Sequence, residues 1–224
     1  MPMLKISRGL VAAAVFALAS LNFSSTAQAQ VSAAVKKASR FDASVSGIGE
    51  INRGSSGHDT FTPPDAVTNT ATDSYGALIN LRYVRSPLLG FEASYKFSRF
   101  VEGYTNPTAN AGQQQTIQVN ANGYSIGYLA HGPTLYGLHT FGGAGVGTTE
   151  FKPTRLGGES YINQARATYY WNLGVDKPLF LTNFGMRLQV RQLFYKTPDF
   201  GTNYLTTGAR TTTLEPAFGF YLRF

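Results

Sequence analysis

The final strand of this chain alternates right up to its last residue. Leu214, Pro216, Phe218, Phe220, Leu222 and Phe224 point one way, and Glu215, Ala217, Gly219, Tyr221 and Arg223 point the other. Side-chain direction flips at every residue of an extended strand, so this ribbon has one greasy, aromatic face and one polar, charged face. Such a ribbon suits a wall with lipid on one side and a wet or ion-paired interior on the other.

The opposite end of the chain reads as an export signal. Lys5 and Arg8 form a positive n-region, Gly9 to Ala19 an apolar h-region, and Ala27-Gln28-Ala29 a small-residue cleavage site, which predicts processing before Gln30. The apolar run is too short to span a membrane comfortably, and Asn22, Ser24, Ser25 and Thr26 follow it. The expected division is a signal peptide over 1–29, a short periplasmic tail over 30–39 and a barrel over 40–224. Losing Lys5 and Arg8 leaves 17 basic against 12 acidic residues, a net charge of +5, which is no nucleic-acid signature.

Cysteine is absent, so there is no disulfide framework, thiolate metal site or acylated N-terminal cysteine. Charged residues are only 14% of the chain, yet the mature region has no apolar run near the ~20 residues that a membrane helix needs. A mature chain that crosses a membrane must therefore cross as strands.

Eight two-faced segments are legible: Phe41 to Ile51, Tyr75 to Tyr83, Leu89 to Phe97, Ile117 to Leu129, Thr134 to Phe151, Ala165 to Asp176, Phe184 to Phe194 and the closing strand. Each is close to the roughly 9–11 residues of a tilted membrane strand. In the fourth, Ile117, Val119 and Ala121 run in one phase and Tyr124, Ile126 and Tyr128 in the other, which predicts a bulge near Asn122 or Gly123. The fifth is glycine-rich and its facing is ambiguous. Connections alternate in length: 52–74, 98–116, 152–164 and 196–210 are long and polar, whereas 84–88, 130–133 and 177–183 are short. This is the asymmetry of an outer-membrane barrel, with long extracellular loops and tight periplasmic turns. The expected fold is all-β: an eight-stranded antiparallel transmembrane β-barrel with both mature ends on the periplasmic side.

Gly174-Val175-Asp176, the run from Gly185 through Lys196, Pro198-Asp199-Phe200, Glu215-Pro216 and the closing Tyr221-Leu222-Arg223-Phe224 carry a family resemblance. Together they resemble the closing hairpin of small bacterial outer-membrane β-barrels of the OmpA/OmpX type, and the resemblance extends over about 41–224. It implies a bacterial outer-membrane location and a terminal aromatic assembly signal in Phe218, Phe220, Leu222 and Phe224. The partners it implies are outer-membrane lipid, lipopolysaccharide and the barrel-assembly machinery. A monomer is expected, with no nucleic acid.

An eight-stranded barrel is just wide enough to be filled by side chains. The assigned inward faces carry Asp42, Glu50, Glu92, Asp176 and Glu215 against Arg82, Lys96, Arg187, Arg191 and Arg223, five acids and five bases. Buried charges are tolerable when paired and hydrogen-bonded, so a salt-bridged plug is expected, with a narrow polar channel or ion path as the alternative. Gly142-Gly143-Ala144-Gly145-Val146-Gly147 lacks both the Gly-Lys-Ser/Thr and the Gly-x-Gly-x-x-Gly signature. It reads instead as a strand that bends or admits close packing.

No catalytic constellation emerges. His58, His131 and His139 are the three histidines, spread over a long loop, a short turn and a strand, and no His-Glu-x-x-His pattern occurs. Glu92, Asp176 and Glu215 have basic neighbours that keep them ionised. The expectation is a non-enzymatic barrel without metal or cofactor, which stabilises the envelope or presents its loops; Tyr104, Tyr161 and Tyr204 are candidate loop contacts. A lipid-modifying outer-membrane enzyme is the remaining alternative.

Overall fold

The computed structural model describes residues 40–154, 161–179 and 183–224; the expected signal peptide and periplasmic tail lie outside these residues. In chain order the strands are β1 (Phe41–Asn52), β2 (Ser55–His58), β3 (Ala66–Ala71), β4 (Ser74–Ser86), β5 (Leu89–Thr105), β6 (Gln115–Leu135), β7 (Leu138–Pro153), β8 (Gln164–Pro178), β9 (Phe184–Lys196) and β10 (Arg210–Arg223). All eight segments read from the alternation are strands. They form one antiparallel sheet in the order β5-β4-β1-β10-β9-β8-β7-β6, and the pairing of β5 with β6 closes it into a cylinder. Closure satisfies every ladder position without leaving an edge in lipid.

Register carries the two faces around the wall. Val45 lies between Ile79 and Phe220 on the outside, and Asp42 lies between Arg82 and Arg223 on the other face. On β10 the outward Phe218 and Phe220 are 52% and 47% exposed, against 0% for the inward Glu215. The same outward band holds Leu81, Phe91, Ile126, Val146, Tyr169, Leu173 and Leu188. Water would penalise so continuous an apolar girdle, whereas hydrocarbon accepts it.

Four expectations need correction. The first long connection is not plain loop: β2 and β3 form a hairpin, and β3 pairs with the end of β5 at Glu102–Thr105. The second is shorter than expected, because β5 reaches Thr105 and β6 starts at Gln115, which puts Tyr104 on a strand. No bulge occurs near Asn122 or Gly123, where the β5–β6 register runs on unbroken. Ile117, Val119 and Ala121 point inward into an apolar compartment, while Tyr124, Ile126 and Tyr128 point to lipid, so the change of phase is a change in what the interior is made of. Finally, the β6–β7 turn is Tyr136-Gly137 and not 130–133. Both residues have positive φ, 51° and 74°, as a two-residue hairpin turn requires. The irregularity sits earlier, between His131 and Thr134, where Pro133 can offer the ladder no N–H.

The β2–β3 hairpin is anchored to the β9–β10 connection. Ser55 Oγ and Thr197 Oγ1 share a hydrogen bond of 2.7 Å, and a β-carbon on Gly57 would lie 1.7 Å from the Thr207 carbonyl oxygen.

The glycine-rich β7 turns Ala144 and Val146 to lipid and Gly143, Gly145 and Gly147 inward. The Tyr170 ring fills the space this leaves: a β-carbon on Gly145 would lie 2.6 Å from it, and one on Gly127 2.4 Å from its hydroxyl. Gly47 is the contrast, outward and with nothing within 4 Å of a β-carbon. Gly145→Val is therefore expected to abolish the compact, heat-modifiable band on detergent gels, and Gly47→Ala to keep it.

Candidate functional site

Two interior compartments lie on top of one another. On the turn side the wall supplies charge. Arg187 from β9 donates its Nε to Asp176 Oδ1 on β8 at 2.8 Å, and its Nη1 to Asp42 Oδ1 and Ser44 Oγ on β1 at 3.0 and 2.9 Å. Arg82 on β4 donates to Glu92 on β5 at 2.5 Å and to Gln189 on β9 at 3.1 Å, and its guanidinium lies 4.0 Å from the centre of the Phe141 ring. Ser94 on β5 and Asn172 on β8 also donate to Glu92, at 3.3 and 3.1 Å. Deeper in, Lys96 donates to Glu50 and, at 2.5 Å, to Glu215, while Arg191 lies 3.8 Å from Glu215 and stacks over Tyr170. Nine of the ten charges assigned inward from sequence thus stand inside within reach of a partner. Arg223 does not join them: it is half-exposed at the turn-side mouth beside Tyr221, because the strand ends there and the barrel no longer encloses it.

On the loop side the filling is apolar. Ile117, Val119, Ala121, Phe151, Tyr195 and Leu193 from the wall pack against Val67, Tyr104, Phe200 and Leu205 from the elements above it. Tyr104 is buried and its hydroxyl donates to the Pro198 carbonyl at 2.6 Å; Tyr161 and Tyr204 pack against the same cluster. Tyr104 is thus a packing residue, while Tyr161 and Tyr204 pack against the cluster and stay partly exposed. Among the described residues, Phe61 and Ile162 are exposed apolar residues in the long connections, at 51% and 60%. Nothing in their sequence context distinguishes them; only the fold shows which loop residue faces out.

The loops are tied together by polar contacts. Asn106 donates to Asp59 at 3.0 Å and to the Tyr204 carbonyl at 3.2 Å. Asp199 accepts from Gln164 at 2.7 Å and from Arg166 at 2.8 Å. Burial pushes the Asp199 carboxyl up, but the Gln164 amide, the Gly201 N–H and Arg166 outweigh it and hold the group below its ordinary value.

Beyond the lipid-facing band of β5, Glu102 is buried with one side-chain donor, Asn69 Nδ2 at 2.6 Å. Burial pushes its carboxyl up to about 7, the Asn69 hydrogen bond opposing the rise. Unfolding returns the group to 4.5, so between about 4.5 and 7 the unfolded chain releases a proton that the folded chain keeps. Stability falls as pH rises through that window and levels off above it, by about 3 kcal/mol in total. Urea unfolding at a series of pH values is expected to show this slope, and Glu102→Gln to remove it.

The arrangement offers little to a substrate. Beside Lys96 and Arg191 the interior leaves a recess of about 10 Å³, room for a single water at most. A recess of about 690 Å³ lies on the outer surface, where the row Leu81, Ala93, Ile126 and Val146 faces lipid. Thr134 Oγ1 and His139 Nδ1 are 3.1 Å apart, but the pair is exposed at the turn, and the neighbouring Asp176 is engaged by Arg187. Among the described residues no three His, Asp or Glu side chains gather as metal ligands.

No protein-family model matches the chain, and no curated protein matches it in sequence. Solved structures match it in fold. The outer membrane protein OprG from Pseudomonas aeruginosa superposes with a TM-score of 0.59 at 13% identity, over 82% of this chain and 95% of that one. Neisserial surface protein A (NspA) does so with a TM-score of 0.52 at 14% identity, over 82% and 97%. Closed, antiparallel, eight-stranded and girdled in apolar side chains, the chain shares the fold of these two small outer-membrane β-barrels.

Lys96 bridges two buried carboxylates. Lys96→Met leaves Glu50 buried without its cation and Glu215 with only Arg191 at 3.8 Å, and is expected to destabilise the barrel by about 3–5 kcal/mol in urea unfolding from lipid vesicles.

Proposed function

We propose that this barrel is closed and non-enzymatic, and that it holds a rigid set of loops at the membrane surface for contact with other surfaces or ligands, stabilising the envelope as it does so. One observation carries the reading: the interior is filled from end to end, by ion pairs on the turn side and by an apolar core under the loops. A channel needs an open path, and the charged side chains that would line one are 0–5% exposed.

The loop side supports display. β5 and β6, at 17 and 21 residues, are longer than the roughly 9–11 that a membrane crossing takes, and the β2–β3 hairpin widens the platform they build. Phe61 and Ile162 are the side chains that this reading puts in contact with a partner. Sheet-built platforms present such residues in fixed positions, so little ordering cost falls on binding. In planar bilayers the folded protein is expected to show no steady large openings. Sustained conductance would favour a narrow channel lined by Lys96, Arg191 and their partners.

A further inference from the structure

We propose that the turn-side mouth of the barrel binds a phosphate-bearing anion, either the headgroup of a phospholipid or free phosphate. The mouth is a recess of about 290 Å³ to which separate parts of the wall each bring a basic side chain: Arg40 ahead of β1, Arg85 at the end of β4, Arg223 at the end of β10, His131 on β6 and His139 on β7. Among the described residues none of the three arginines lies within ion-pair distance of a carboxylate. Asp42, the acid in the lining, is buried below them and already accepts from Arg187 at 3.0 Å. His131 adds an enclosed Nδ1 without a hydrogen-bond partner.

Three guanidinium groups gathered round one hollow repel one another unless an anion sits among them. They come from separate parts of the wall, an arrangement that suits an oxyanion with acceptors on several sides better than a flat carboxylate. The volume exceeds that of phosphate alone and leaves room for an ester substituent. The backbone at the mouth is fixed: the Arg40 carbonyl accepts from Val84 N–H, and Arg223 N–H donates to the Asn183 carbonyl, both at 2.7 Å. Beside the hollow, outward Phe41 and Leu88 offer an apolar shoulder for acyl chains, and basic clusters at a membrane surface attract anionic lipid.

The test uses the folded barrel in a zwitterionic detergent, titrated with inorganic phosphate by calorimetry. It is paired with reconstitution into phosphatidylcholine vesicles with and without phosphatidylglycerol, followed by mass spectrometry of the lipid retained on repurification. Arg40→Gln, Arg85→Gln and the double variant break no ion pair and are expected to keep the heat-modifiable band. Saturable phosphate binding without lipid enrichment identifies free phosphate as the ligand. Retained phosphatidylglycerol identifies the headgroup. Either effect is expected to weaken about tenfold with each arginine removed, the loss of one charge-assisted hydrogen bond. Wild-type protein that neither binds phosphate saturably nor prefers phosphatidylglycerol overturns the proposal, as does binding that survives the double variant unchanged. Neither result bears on whether the barrel conducts.

Discussion

Backbone hydrogen bonding in hydrocarbon is the constraint on which the rest depends. Every N–H and C=O of a membrane strand must find a partner within the protein, so the sheet has to close, and it does so where β1 meets β10 and β5 meets β6. Closure at eight strands then fixes the bore. A cylinder this narrow is filled by its own side chains, and what fills it decides whether anything passes.

The filling also enforces the pairing. Arg187 touches Asp42 and Asp176, and so links β9 with β1 and β8; Lys96 links β5 with β1 and β10. A slip of one residue in any of these strands would turn its charges outward and its apolar residues inward. Arg or Lys facing the middle of the bilayer costs about 2–4 kcal/mol. Buried ion pairs contribute little net stability against an apolar replacement, but every wrong register leaves them unpaired.

Much of this was legible in the sequence, because a period of two is a strong local signal. All eight barrel strands could be located in the sequence, and so could the inward charges from Asp42 to Glu215, although alternation left the facing of the glycine-rich β7 open. Where the signal failed, the interior changed character. Ile117, Val119 and Ala121 break the rule that inward means polar, since they sit above the ion pairs in an apolar compartment that no local pattern announces. Tyr136-Gly137 was overlooked as a turn beside the more conspicuous Gly132-Pro133. The tyrosines at 104, 161 and 204 can be read as loop contacts or as packing within the loops, because whether a loop side chain faces out is decided by contacts with distant loops, such as that of Tyr104 with Pro198.

The hairpin on the loop side has a further consequence. Here Ser55 is tethered to Thr197, and the Thr207 carbonyl crowds Gly57. These contacts hold the hairpin to the β9–β10 connection, so a neighbouring copy meets a fixed surface and not a loose flap.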